Sequence, residues 1–218
     1  MKKSIEKITY CFVIIAALFV SFVSFVEPLV MKDINITKVI LVLLCYAAVF
    51  AGSLTLFRQL SERVLYYLII AGIFAAVIVQ TYIVFHMRLV PKVDLNHIYD
   101  YCVDMVETGK ISFGESKYFA YNTNNIPLAI VIYYVFRMAA FTGMDYRIAA
   151  GLFNVLLILV MYVSAFLILK KVTTIRTTAV YMALLLTNPS FYAYASYYYT
   201  DTISAGLVMA AVCFIIYG

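Results

Sequence analysis

The sequence predicts an all-α, polytopic membrane bundle of about six transmembrane helices, with two amphipathic helices on the outer surface. Two observations carry that prediction. Of the residues, 66% are apolar and 12% charged, whereas soluble domains carry roughly 25% charged residues. The apolar stretches are also continuous and near the length of about 20 residues that a helical span needs. Strands of a membrane barrel would alternate instead.

The spans follow in order. Met1-Lys2-Lys3 precedes the apolar run Ile8 to Val26. That run is long for a signal peptide and lacks a small-x-small exit, so it reads as an uncleaved first span. Val39 to Phe57, Val64 to Phe85, Ile148 to Leu169 and Thr202 to Tyr217 are further spans. The run from Thr177 to about Ala195 holds Pro189. Its part before the proline is too short to cross at 1.5 Å per residue. The expectation is one helix continuing past Asn188-Pro189 with a kink.

Ile126 to Phe141 is short for a span and contains Arg137, a costly residue at mid-membrane. The distribution of basic residues decides its place. If this piece lies on the surface, Lys2, Lys3, Lys7, Arg58, Arg63, Lys170, Lys171 and Arg176 share one side with only Glu6 and Glu62. By the positive-inside rule that side is the cytoplasm, and the N-terminus lies there. The segment from His86 to about Arg147 is then an outer loop, and Asp201 faces outward.

Two parts of that loop read as helices. From Asp94 onward, Leu95, Ile98, Cys102, Met105 and Val106 share one face, and Gly109 is a stop signal. Asp94, His97, Tyr101 and Asp104 share the opposite face, so this helix is expected to lie on the outer leaflet. The second surface helix runs from Ile126 to Phe141 and ends near Gly143. The organisation is thus residues 1–63, two N-terminal spans, and residues 64–218, a module with outer loop 86–147.

The net charge of +5 is spread over loops. It forms no basic stripe, so it marks topology rather than nucleic-acid binding. The cysteines Cys11, Cys45, Cys102 and Cys213 have no zinc or disulfide spacing.

This order of parts resembles the GT-C membrane glycosyltransferases, in the branch that holds protein mannosyltransferases and the aminoarabinose transferases of lipid A. The residues that carry it are Asp94-Leu95, Met105 to Gly109, Tyr121 to Leu128, Tyr146-Arg147-Ile148-Ala149-Ala150, Lys170-Lys171 and Thr200-Asp201-Thr202. They cover about Val64 to Gly218. The sequence departs from the pattern at Leu95, where the family has a second acid. It departs again at Asn125, where many members have Lys or His, and at Ile126, where they have proline.

The resemblance implies sugar transfer from a polyprenyl-phosphate donor to a glycan, lipid or protein acceptor on the outer face of a bacterial plasma membrane. It also implies further spans after Gly218, so the chain is expected to be the N-terminal part of a longer protein. Asp94 would be the general base, since a carboxylate within reach of the acceptor hydroxyl can take its proton. Asp201 would orient the acceptor, support Asp94, or share a divalent cation with it, a hard ion suited to carboxylates. Arg88, Lys92, His97 and Lys117 are candidates to receive the departing phosphate. Tyr118, Tyr121, Tyr197, Tyr198 and Tyr199 are candidate sugar-binding walls, and Asn124 and Asn125 candidate partners for sugar hydroxyls.

Plainer readings stand beside these. Asp94 and Asp201 both sit at helix starts, where acids cap backbone N–H groups. Juxtamembrane cations contact headgroups, and tyrosines form interfacial belts. Arg137 and Arg147 read as structural, and Asn154 as bonded to a neighbouring helix. Two other functions compete: a transporter or flippase component, and a non-catalytic membrane scaffold. Transport coupled to ions needs ionisable groups near mid-membrane, and the spans hold almost none.

Overall fold

The computed structural model describes residues 36–87, 94–111, 113–114, 116–198 and 200–218. The first predicted span, Ile8 to Val26, lies outside the described residues. All described regular structure is helical. The chain divides into two compact units, Met1–Thr55 and Leu56–Gly218.

The helices are α1 (Ile36–Gln59), α2 (Glu62–His86), α3 (Asp94–Thr108), α4 (Lys117–Tyr121), α5 (Ile126–Thr142), α6 (Tyr146–Val172), α7 (Ile175–Leu186), α8 (Pro189–Ala193) and α9 (Thr200–Tyr217). A single 3-10 turn, Thr123–Asn125, leads into α5. Within the first unit the described structure is α1 up to Thr55.

The boundaries have local causes. Ser61 caps α2 through the N–H of Val64, and Thr174 caps α7 through the N–H of Thr177. Asp145 caps α6, accepting from the N–H groups of Arg147 at 2.8 Å and Ile148 at 3.3 Å. Such a side chain takes up donors that the first turn leaves unpaired. Gly109 (φ 69°) and Gly143 (φ 68°) end α3 and α5 in the left-handed region, which glycine enters without a Cβ clash.

In the second unit α6 is the central helix, packed against α2, α5, α7 and α9. One core joins α2, α6 and α7 through Leu65, Ile69, Ile73, Ile158, Met161, Tyr162, Phe166 and Met182. Small residues permit close approach between helices. A Cβ on Gly206 of α9 would lie 2.8 Å from the Leu157 carbonyl oxygen of α6, and one on Gly151 would lie 2.7 Å from a Val84 methyl of α2. A second core joins α3, α5 and the start of α6.

Among the described residues, three helical stretches are long and apolar enough to cross a membrane: Glu62–His86, Thr123–Thr142 and Tyr146–Val172. Ile175–Leu186 and Thr202–Tyr217 are apolar but shorter. The stretch containing α5 therefore has the dimensions of a span, although Arg137 lies within it. Arg137 is exposed and its guanidinium lies 3.5 Å from the Tyr133 hydroxyl, one turn earlier on the same helix.

Two expectations need correction. The helix expected from Thr177 to Ala195 does not continue through Pro189. It ends at Leu186, and a separate five-residue helix starts at Pro189. The residue before a proline is driven from helical to extended backbone, and Asn188 is extended (φ −66°, ψ 112°) and caps the new helix through the Ser190 N–H. The amphipathic α3 also does not offer its apolar face to lipid. Leu95, Ile98, Cys102 and Met105 are at most 1% exposed, packed with Leu128, Ala129, Ile132 and Phe136 of α5. This packing ties α3 to α5.

Candidate functional site

The site is built where the start of α3 meets α4 and the segment leading into α9. Asp94 is the first residue of α3, with His97 one turn on. The short helix α4 is fixed by two buried groups. Ser116, 2% exposed, caps it through the Phe119 N–H at 3.4 Å. Phe119, 1% exposed, packs edge-on against Tyr101 and Phe113. That anchoring sets Tyr118 against α3.

Tyr118 is the hub. Its hydroxyl accepts from Asn125 Nδ2 at 2.6 Å and lies within the electrostatic reach of the Asp94 carboxyl. Its ring stacks on His97, with centroids 4.8 Å apart and planes at 26°. Asn125 is itself 3% exposed, and its Oδ1 accepts from Asn124 Nδ2 at 3.4 Å. A hydrogen-bonded chain therefore runs from Asn124 through Asn125 to Tyr118, and the charge of Asp94 acts on its end. Burial pushes the Tyr118 hydroxyl above its ordinary pKa; Asn125 opposes this and Asp94 adds to it. An acceptor charge beside a phenol holds the proton on the phenol.

Asp94 also acts on Tyr197. That hydroxyl is raised first by burial, then by Tyr194 and Asp94. The Tyr194 and Tyr197 rings meet edge-on at 6.0 Å. Tyr197 precedes α9, whose first turn holds Asp201, so the start of α3 and the entry to α9 lie close enough to interact electrostatically. The side chain of Asp201 lies outside the described residues, as do Arg88, Lys92 and Tyr199.

The other candidates divide. His97, Asn124 and Asn125 join the cluster around Tyr118. Lys117 is exposed at the start of α4. Tyr121, expected as a wall, is 88% exposed and stands out from the surface. Tyr198, also expected as a wall, is instead a core residue at 2% exposure, against Cys102 and Phe136. Tyr197 and Tyr198 lie outside regular helix, so neighbours in sequence face different surroundings. Burial raises the Tyr198 hydroxyl far above its ordinary value.

A divalent cation takes six to eight oxygen ligands as Ca²⁺, or near-octahedral ones as Mg²⁺. Among the described residues no group of three or more His, Cys, Asp and Glu side chains gathers.

A second polar arrangement surrounds the break between α7 and α9. Gln80, fully buried in α2, donates from Nε2 to the Tyr162 hydroxyl at 3.0 Å and the Phe191 carbonyl at 3.3 Å. Asn154, fully buried in α6, donates from Nδ2 to the Tyr194 and Ala195 carbonyls, both at 3.0 Å. The Tyr192 hydroxyl donates to the Leu186 carbonyl at the end of α7. These side chains give donors to carbonyls of this irregular stretch, one of which, Tyr194, also accepts from the Tyr197 N–H at 3.0 Å. Asn154 was legible as an interhelical partner; Gln80, a lone amide inside an apolar span, was a signal passed over. Asp145 was also missed, although Asp just before an apolar run is a cap signature.

Arg147 lies 5.4 Å from the Tyr99 ring centroid. Burial raises the Tyr99 hydroxyl, and Arg147 works against that by charge and hydrogen bonding. The guanidinium thus ties the start of α6 to α3, in keeping with a structural role.

Fold and site together define an all-helical protein with helices long and apolar enough to cross a membrane, and a carboxyl–phenol–amide cluster at the start of α3. No family model, curated protein or solved structure matches the chain.

Proposed function

We propose that the chain is a membrane glycosyltransferase, or a part of one, that moves a sugar from a polyprenyl-phosphate donor to a glycan, lipid or protein acceptor on the outer face of a plasma membrane. Asp94 is the general base. The observation that carries the reading is the setting of Asp94. A carboxyl that only capped a helix would need backbone donors alone. This one also acts electrostatically on a phenol from another helix, whose ring stacks on His97 of its own helix and whose oxygen is held by a buried amide.

In this reading the acceptor hydroxyl gives its proton to Asp94 as its oxygen attacks the anomeric carbon. The bond from that carbon to the phosphate oxygen breaks, and polyprenyl phosphate leaves with the electron pair. Lys117 and His97 are the nearby described groups able to offer N–H donors to the departing phosphate; Arg88, Lys92, Tyr199 and Asp201 complete the proposed set from the sequence.

The test is transfer of a labelled sugar from a polyprenyl-phosphate donor by membranes that express the full gene product. Asp94→Asn is expected to lower transfer by at least about a hundredfold, the usual contribution of a general base, with the protein present at the wild-type level in the membrane. Transfer at the wild-type rate would end the enzyme reading.

A transporter or flippase component is the second reading, and one observation favours it. The helix broken between α7 and α8, with its carbonyls held by Gln80 and Asn154, is the kind of discontinuity that transporters use for binding. Substrate efflux from vesicles that contain the protein, with no sugar transfer, would favour it.

A further inference from the structure

We propose that the uncovered face of α5 holds one anionic phospholipid: the Arg137 guanidinium takes its phosphate, and Met138 and Phe141 take an acyl chain. The inference goes beyond the sugar-transfer reading and does not depend on it, since none of these residues belongs to the cluster around Asp94.

Three observations carry it. The face is continuous: Tyr134, Arg137, Met138, Phe141 and Thr142 follow one another at helical spacing and line a shallow hollow of about 360 Å³. The bundle does not cover it. Leu128, Ala129, Ile132 and Phe136 turn the other side of α5 into the core with α3 and α6, whereas Tyr134, Met138 and Phe141 are 55%, 72% and 92% exposed. A charge also sits in it. Among the described residues the Arg137 guanidinium has one hydrogen-bond partner, the Tyr133 hydroxyl at 3.5 Å, and no carboxylate. Arginine carries five N–H donors, so one long contact leaves most of them for another group.

The chemistry selects the occupant. A cation among apolar side chains is costly unless an anion meets it, and a guanidinium grips a phosphate through two parallel N–H groups. Inorganic phosphate would answer the charge and leave Met138 and Phe141 bare. A hydrocarbon chain alone would cover those two and leave the charge unmet. A phospholipid does both, and an anionic headgroup brings no ammonium to oppose the guanidinium. The placement of Arg137 suits either arrangement of α5. Along the surface, the whole face lies at headgroup level. Across the bilayer, Arg137 stands five residues before the last residue of α5, Thr142, or about 7.5 Å at 1.5 Å per residue, and a side chain of its length snorkels toward the headgroups.

The test uses the purified protein in nanodiscs of phosphatidylcholine with a minor share of phosphatidylglycerol. Phe141→p-benzoylphenylalanine places a photocrosslinker on the face, and mass spectrometry identifies what it captures. Phosphatidylglycerol is expected about ten-fold above its share of the bilayer, as one hydrogen-bonded charge pair gives. Arg137→Gln should return the capture to that share. Arg137→Lys, the milder change, keeps the charge without the fork and should fall between. Arg176→Gln, which removes an exposed cation at the start of α7, should leave the enrichment as it is.

Enrichment that survives Arg137→Gln, or that falls as far in Arg176→Gln, would reveal general attraction to the charged protein and overturn the proposal. So would capture of the two lipids in their bulk ratio, which would make the face an ordinary lipid contact. Capture of protein in place of lipid would equally overturn it, the face then belonging to another helix or to a second copy of the chain.

Discussion

Gln80 and Asn154 show how a single amide can hold an irregular backbone inside an apolar bundle. Each places its nitrogen on carbonyls of residues 191–195, which have no water to turn to in that setting. Replacing Asn154 by Leu removes this donor from both carbonyls; Tyr194 keeps the Tyr197 N–H, whereas Ala195 loses a partner at about 1–3 kcal/mol. The expected result is a lower unfolding midpoint in detergent, measured by circular dichroism. A midpoint equal to wild type would show that the segment has other donors. Cys102 makes the opposite case. It is fully buried, its thiol reaches the Ala129 carbonyl at 3.3 Å, and burial pushes it up to about 12. Thiolate is the reactive form. At pH 8 a maleimide should leave Cys102 unmodified in the folded protein and modify it after denaturation, as read by peptide mass spectrometry.

Among the helices, α5 carries the topology. It is sandwiched between α3 and α6, and its uncovered face bears Tyr134, Met138 and Phe141, the last 92% exposed. That face suits lipid whether α5 crosses the bilayer or lies along it. The outer-surface reading places both ends of α5 on one side. Cysteines introduced at Asn124 and Met144 should then both react with a membrane-impermeant maleimide applied from outside. Reaction at one alone would make α5 a span. Helix α9 depends on a different feature. Because a Cβ at Gly206 would come within 2.8 Å of the Leu157 carbonyl, Gly206→Val must push α9 from α6. The expected outcome is loss of stability of about 1–3 kcal/mol, the usual range for overpacking, seen as a lower midpoint in detergent.

For the molecule as a whole, the charge distribution predicts an orientation. Lys170, Lys171 and Arg176 lie at the end of α6 and the start of α7, and the positive-inside rule would place them on the cytoplasmic side with Arg58 and Arg63. A reporter fused after Thr173 should score as cytoplasmic, and changing the three basic residues to glutamine should weaken that preference. Much of the architecture was readable in advance. Apolar runs located α1, α2, α6 and α9; the 3.6-residue pattern of Leu95, Ile98, Cys102 and Met105 located α3; and Gly109 and Gly143 marked the ends of α3 and α5. The site was readable in part: Asp94, His97 and Asn125 were singled out, whereas Tyr118 was one of five equivalent tyrosines.

The division follows from the range of the forces. Periodicity, caps and glycine stops act within a few residues, so the linear order of Leu95 to Gly109 or Asn125 to Gly143 was enough to set those helices and their ends. Which tyrosine would be core, surface or hub depended on contacts between residues far apart in the chain. Tyr198 went inward because Cys102 and Phe136 cover it, Tyr121 was left outside, and Tyr118 met Asp94 because α4 is anchored beside α3. Likewise Pro189 announced a disturbance, but only the tertiary structure showed a break capped by Asn188, with Gln80 and Asn154 arriving from α2 and α6 to hold the carbonyls that follow it.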